Sequence, residues 1–195
     1  QDGPLDMRMD PGSGLPASAY LNQASHYELV QAVRDFGEET RWRRVVAAIE
    51  QSRGLPALER TRAFAGLIEA AVGGRRPGDR IHPATRTFQG VRIAVNRELE
   101  AIEEALPAAF EKLEAGGRLA VISFHSLEDR RVKRFFRRMA GQPEHRGDAT
   151  PAQFRVSRAR ILTNRPVLPE AGEVAGNPRA RSARLRVLEK ERRAA

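Results

Sequence analysis

The 195-residue sequence contains no cysteine. That removes disulfides, thiolate zinc sites and cysteine nucleophiles together, and it makes a cytoplasmic address the default expectation. No signal peptide is visible. No apolar run approaches the ~18–20 residues that a membrane-spanning helix needs, the longest being short pieces such as Leu119-Ala120-Val121-Ile122. A membrane protein is therefore not expected. An initiator methionine is missing too, since the chain opens Gln1-Asp2-Gly3-Pro4, and a start in mid-protein is the expectation. Lysine is scarce: of 34 lysines and arginines only Lys112, Lys133 and Lys190 are lysines, which leaves 31 arginines.

What is present is a soluble, globular composition, 41% hydrophobic and 30% charged, with length for one large domain or two small ones. The net charge of +9 is unevenly placed. Residues 1–117 hold 15 basic and 17 acidic side chains, a balance of −2, whereas residues 118–195 hold 19 and 8, a balance of +11. Arginine's planar fork suits phosphate oxygens, so an arginine-rich half points to a polyanionic partner, most simply nucleic acid. A compositional preference for arginine on a solvated face accounts equally well for the total. It accounts less well for the asymmetry.

Residues 1–16 lack any period and read as loop. From there to about residue 75 the pattern is helical. Ser25 and Glu28 form a capping box, with Leu29, Val33 and Phe36 following at helical spacing and Gly37 ending the run. Trp42, Val45, Val46 and Ile49 make a second apolar stripe and Phe64, Leu67, Ile68 and Val72 a third, which predicts a small bundle of three short helices. Arg75-Arg76-Pro77-Gly78-Asp79 is the expected domain boundary. Beyond it, Phe88, Val91, Ile93, Val95, Leu99 and Ile102 predict one longer helix that Pro107 ends or kinks.

The period then changes. Arg118 to Phe124 is a continuous apolar run of strand length, as for a strand covered on both faces of a parallel sheet. Ser126, with Glu128 and Asp129 in the first turn, is expected to cap a helix carrying Val132, Phe135, Phe136 and Met139. A strand centred on Ile161 and Leu162 is expected within residues 154–167. Ala183 to Leu188 alternates basic and apolar side chains, marking a half-buried strand that shows arginines on one face.

Few segments carry the pattern of a reactive site. Gly12-Ser13-Gly14-Leu15-Pro16-Ala17 fits the letter of a dinucleotide loop, but no strand precedes it and prolines stiffen it. His26, His82, His125 and His145 lack metal-site spacing, so no metal is expected. Asp2 to Asp10 gathers carboxylates too loosely for a divalent cation. The strongest local signal is Ser123 to Arg130, at the carboxyl end of a predicted strand, where open α/β sheets place their ligands. His125 and Ser126 are the candidate catalytic residues there. The plainer reading is a helix cap beside a turn histidine, and a Ser–His hydrolase would want a G-x-S-x-G elbow that is absent. His82 to Gln89 opens the next helix with Thr85, Arg86 and Thr87, which ordinary capping also explains.

Four blocks taken in order carry a resemblance: DGPLDMRMD at 2–10, HPATRTFQ at 82–89, GGRLAVISFHSLEDR at 116–130 continued by VKRFF at 132–136, and NPRARSARLRV at 177–187. Together they resemble the bacterial RsmH (MraW) family of S-adenosylmethionine-dependent methyltransferases, over essentially the whole chain. Gly90-Val91 stands where that family is expected to have alanine and leucine, and Arg131 where it has an aliphatic residue. The resemblance implies methylation of the exocyclic N4 of a cytidine in the decoding region of small-subunit (16S) ribosomal RNA. It also implies the small ribosomal subunit or its 16S rRNA as partner, and it is compatible with a homodimer. The implied fold is α/β, a partial Rossmann-like methyltransferase sheet with an inserted small all-helical substrate-recognition domain. Residues 1–12 would be a loop of the methyltransferase domain, 13–80 the insertion, and 81–195 the C-terminal part of that domain.

By the same resemblance the chain is roughly the C-terminal two-thirds of its parent. The glycine-containing first strand–turn, the acidic ribose-binding residue and the D-L-G-V-S-S-P-Q-like segment of the family are missing, so S-adenosylmethionine is expected to bind mostly outside the chain and the isolated chain to be inactive. His125 and Ser126 would lie by the flipped cytidine or the cofactor, Asp6 and Arg8 near the same mouth, and Arg86, Arg130, Lys133 and Arg134 on the RNA path. The chemistry agrees: methylating C5 of cytosine generally requires a cysteine adduct, whereas N4 methylation needs only an aligned amine lone pair. The rival expectation is a non-catalytic RNA-binding or ribosome-assembly protein.

Overall fold

The computed structural model describes residues 2–75, 78 and 81–192. Its contacts gather into two compact units, residues 1–98 and residues 99–195. The expected boundary at 75–79 lies largely outside the described residues.

The first unit is helical: α1 (Ala17–Gln23), α2 (His26–Val30) running into a π-helical turn (Gln31–Phe36), α3 (Trp42–Gln51), α4 (Thr61–Ala71) and α5 (Thr85–Asn96). The capping box forms where the spacing predicts it. Glu28 N donates to Ser25 Oγ at 3.3 Å, and Ser25 N donates to the Glu28 carboxylate at 2.7 Å. The predicted stripes bury Leu29, Val33, Val45, Val46, Ile49, Phe64 and Ile68 in one core. Helix α1 is additional; its inward face is only Ala17 and Leu21, too short a stripe to read from periodicity. Leu5 from the opening segment and Val91 from α5 join the same core. The opening segment is thus anchored, with Leu5 N donating to Glu59 O at 2.9 Å.

Helix α5 crosses the π-helical turn at very short range. A Cβ on Gly90 would lie 2.0 Å from Ala32 O and 2.6 Å from Gly37 N, so only glycine lets the two backbones touch. The single long helix expected from Phe88 to Ile102 is in fact two. Arg97 adopts a left-handed conformation, φ 49°, and separates α5 from α6 (Glu98–Lys112). Pro107 lies inside α6 instead of ending it, because Leu106 and Phe110 flank it in the core and their packing outweighs the missing backbone bond.

The second unit continues from α6 through β1 (Arg118–Ser123), α7 (Ser126–Met139), β2 (Ala159–Ile161), α8 (Ala171–Gly176) and β3 (Arg184–Lys190). The sheet order is β1-β3-β2, and β3 is antiparallel to both neighbours. The parallel pairing expected for the 118–124 run is therefore replaced by an antiparallel one, from Arg118 opposite Glu189 to Ser123 opposite Arg184. A continuous apolar run reports burial and carries no information about the direction of its partner.

One face of this sheet is covered. Phe110, Val132, Phe135, Phe136 and Leu188 build its core. Lys190 Nζ donates to the carbonyls of Phe110, Glu111 and Leu113 at 3.2, 3.2 and 2.7 Å, closing the C-terminus of α6 with a cation. On β3 the alternation holds, but its phase is reversed from a solvent-facing arginine row. Arg186 is buried beside Leu188, while Leu185 and Val187 share the opposite face with Ala120 and the 59%-exposed Ile122. Among the described residues no helix is long and apolar enough to cross a membrane.

Candidate functional site

The turn from β1 into α7 is built by local hydrogen bonding. His125, in extended conformation, is the N-cap of α7 and pairs with Glu128 in a capping box. Glu128 N donates to His125 Nδ1 at 3.4 Å, and the Glu128 carboxylate accepts from Phe124 N at 2.7 Å and His125 N at 3.2 Å. His125 Nε2 lies 3.3 Å from Glu128 Oε1 but off the line of a hydrogen bond, which leaves it a buried atom without a satisfied partner. Burial raises the Glu128 carboxyl, and hydrogen bonds from His125 and Phe124 with the nearby imidazole more than offset this, holding it below its ordinary value. The cap expected at Ser126 is thus one residue earlier, and Ser126 is the first helical residue.

Asp129 explains the shift, because its carboxylate is committed elsewhere. Arg186 of β3 donates through Nε at 2.6 Å and Nη2 at 3.0 Å, and Arg184 Nη1 adds a contact at 3.5 Å. Burial pushes this carboxyl up, and the two guanidinium groups pull it further down, to a net value below the usual carboxylate range. Asp129 and Arg186 thereby fix α7 on the sheet and set which residues of α7 face outward. Sequence reasoning missed this pair, since its partners are 57 residues apart.

Helix α7 carries its cations along two flanks. Lys133 borders a cavity of about 180 Å³ that also involves Arg137 and Arg186. Arg134 borders a second, of about 440 Å³, with Arg131, Arg138, Glu103 and Glu144. Arg130 lies one turn before Arg134 on the same helix. Of these cations the sequence pointed to Arg130, Lys133 and Arg134, through the family resemblance, and not to Arg137. Of the polar loop before β2, reasoning from sequence missed the organiser. Asp148 accepts from Glu144 N, Thr150 N and Arg155 Nη1 at 2.8, 3.0 and 3.0 Å, and these bonds hold its carboxyl far below the ordinary value.

Asp6, Arg8 and Arg86 belong to the first unit. Asp6 and Arg8 meet directly, with Nε and Nη2 of the guanidinium on the two carboxylate oxygens at 2.7 and 2.9 Å, and that contact lowers the Asp6 carboxyl. Arg86 donates to Glu38 O at 3.5 Å and borders a cavity of about 220 Å³ with Glu39, Arg41 and His82. The largest cavity described, about 620 Å³, lies in this unit between Met7, Ala65, Ala84 and Phe88, with Arg62 and Arg92 on its rim.

Fold and site define a mixed helix-and-sheet protein with a helical first unit and a basic strand–turn–helix in the second. The chain belongs to the MraW methylase family, whose sequence model matches residues 1–191. It is similar to proteins named Ribosomal RNA small subunit methyltransferase H. It is 49% identical to the one from Heliobacterium modesticaldum, over 98% of this chain and 61% of that protein. With that from Thiobacillus denitrificans it shares 48% identity over 97% of this chain and 60% of the relative, and with that from Nitrosococcus oceani 48% over 98% and 60%. The chain thus spans about three-fifths of the length of the curated relatives it matches.

Proposed function

We propose that the whole protein to which this chain belongs is a ribosomal RNA methyltransferase that transfers a methyl group from S-adenosylmethionine to the exocyclic N4 of a cytidine in 16S rRNA of the small ribosomal subunit. The observation that supports an rRNA methyltransferase is the family match across residues 1–191, with 48–49% identity to relatives named Ribosomal RNA small subunit methyltransferase H; the cytidine N4 and the methyl donor follow from the motif resemblance. On the same reading, residues 1–12 and 81–195 belong to the catalytic domain and 13–80 to an inserted substrate-recognition domain. The protein acts in the cytoplasm. The short sheet would be one side of a larger Rossmann-like sheet: β1 stands at an edge, and Ala120, Ile122, Leu185 and Val187 form an apolar face that further layers would cover.

The largest cavity described does not fit the methyl donor well. The donor's methionine end carries a sulfonium, an ammonium and a carboxylate, and this cavity offers Arg62 and Arg92, which suit the carboxylate alone, with no acidic group among its lining residues for the two cations. By the family resemblance the donor's main site is assigned outside this chain, and the isolated chain is expected to be inactive. What these residues contribute is grip and position. Arg130, Lys133 and Arg134 of α7, with Arg86 and the Asp6–Arg8 pair, are assigned to the RNA. His125 and Ser126 are placed against the target nucleotide, with Glu128 holding the imidazole in its turn.

The test uses the whole protein and the His125→Ala variant on small subunits lacking the methyl group. Transfer should fall by at least roughly tenfold in kcat, with subunit affinity unchanged, as expected for a group that positions the reacting atoms. An unaltered kcat would return His125 to a purely capping role.

A further inference from the structure

We propose that the small cavity beside α7 is a seat for one phosphate group of a bound RNA strand, a subsite formed by Lys133, Arg137, Arg186, Gln142, Thr163 and Asn164. This rests on the RNA-acting reading above and adds to it four residues, Arg137, Gln142, Thr163 and Asn164, that no sequence pattern singled out.

Charge is the first argument. Lys133 and Arg137 are four residues apart on α7, a like-charge spacing that disfavours the helix, and Arg186 arrives from β3 to make a third cation. No carboxylate is among the described lining residues. Asp129, the carboxylate that Arg186 meets, is engaged by it through two hydrogen bonds of 2.6 and 3.0 Å. Among the described residues, Lys133 and Arg137 are thus gathered at one cavity with no carboxylate in its lining.

Hydrogen bonding gives the second argument. Arg137 lines the cavity with no ion pair described for it, so the outer nitrogens of its guanidinium are the donors it would bring to a ligand there. Thr163 Oγ1 already accepts from Val187 N at 2.9 Å, so its own proton is left to donate elsewhere. Gln142 and Asn164 supply further amide donors. Guanidinium forks, an ammonium and neutral donors around one point match the oxygens of a phosphate.

Size selects among phosphate carriers. About 180 Å³ is below the roughly 300–1,000 Å³ of pockets that engulf small molecules. It equals the share of about six waters, at about 30 Å³ each. A phosphate with its first waters fits, whereas a whole nucleoside does not. The strand's sugars and bases would continue outside.

The 195-residue chain can be tested with a short single-stranded oligoribonucleotide, with inorganic phosphate as a second probe followed by phosphorus NMR. Arg137→Gln should weaken RNA binding by about tenfold and reduce the slope of log affinity against log salt by about 0.7, the value for one phosphate contact on a single strand. Arg146→Gln, at an exposed loop position, removes the same charge away from the cavity and should do much less. Inorganic phosphate should compete with RNA on the wild type and on Arg137→Lys more than on Arg137→Gln, and equal melting temperatures establish that the variants are folded.

If Arg137→Gln loses no more than Arg146→Gln while the wild type binds RNA, the cavity is not the seat and the RNA-acting reading stands. If the wild type binds inorganic phosphate through Arg137 but no RNA, the RNA occupant of the cavity is overturned, while the RNA-acting reading is decided separately by methyl transfer with the whole protein.

Discussion

Asp129→Asn removes a charge without changing the size of the side chain, and its consequence can be worked out from the contacts. Asp129 and Arg186 are 8% and 6% exposed, so the variant leaves a guanidinium buried and unpaired. Breaking one side of a buried pair costs about 3–5 kcal/mol. Arg184 adds little, being 3.5 Å away with a side chain 42% exposed. Against the ~5–15 kcal/mol that holds a domain folded, the loss is large.

The sign with pH follows from the depressed carboxyl of Asp129. Its stabilisation is complete above the unfolded value of about 3.9 and disappears as pH falls through the lower folded value. Wild type and variant should therefore differ fully at neutral pH and converge in strong acid. Urea unfolding followed by circular dichroism gives the difference, and hydrogen exchange at the amides of α7 and β3 localises it. Replacing both partners, as Asp129→Leu with Arg186→Met, should recover most of the loss. A single-variant loss under about 1 kcal/mol at neutral pH, or one that persists undiminished in strong acid, would refute the assignment of this pair as the clasp of the second unit.

Two further perturbations address the first unit. Gly90→Ala would place a methyl 2.0 Å from Ala32 O and should destabilise by about 1–3 kcal/mol or more as α5 is forced off the π-helical turn. An unchanged melting temperature would show that the two backbones do not touch. Ser25→Ala removes the acceptor of the Glu28 N–H and should cost about 1 kcal/mol in urea titration, with Ser25→Asp close to neutral. A loss of Ser25→Ala stability below a few tenths would mean that the cap is not formed.

Local patterns were legible where the partners are local. The Ser25–Glu28 box, the stripes of α3 and α4, and the position of β1 all follow from residues within a few positions of each other. Reading failed where a distant partner decided. Whether Ser126 or His125 caps α7 depended on Arg186 claiming Asp129, and the inward turn of Arg186 reversed the expected burial of β3. The break at Arg97 was hidden because the apolar spacing runs unbroken across it, while Pro107, the stronger local signal, is absorbed by the packing of Leu106 and Phe110. The family was readable from four motif blocks, and the sheet direction was not. Arg130, Lys133 and Arg134 of α7 were legible through the family motif, but Arg137, Thr163 and Asn164 come to the cavity beside Lys133 only through the fold.

The most direct test of the central claim is nucleoside mass spectrometry of 16S rRNA after incubating the whole protein with S-adenosylmethionine and small ribosomal subunits from cells that lack it. The account predicts a new N4-methylated cytidine that depends on the protein and maps to the decoding region. Absence of any transferred methyl group, or a methyl found on C5 or on another base, would contradict it.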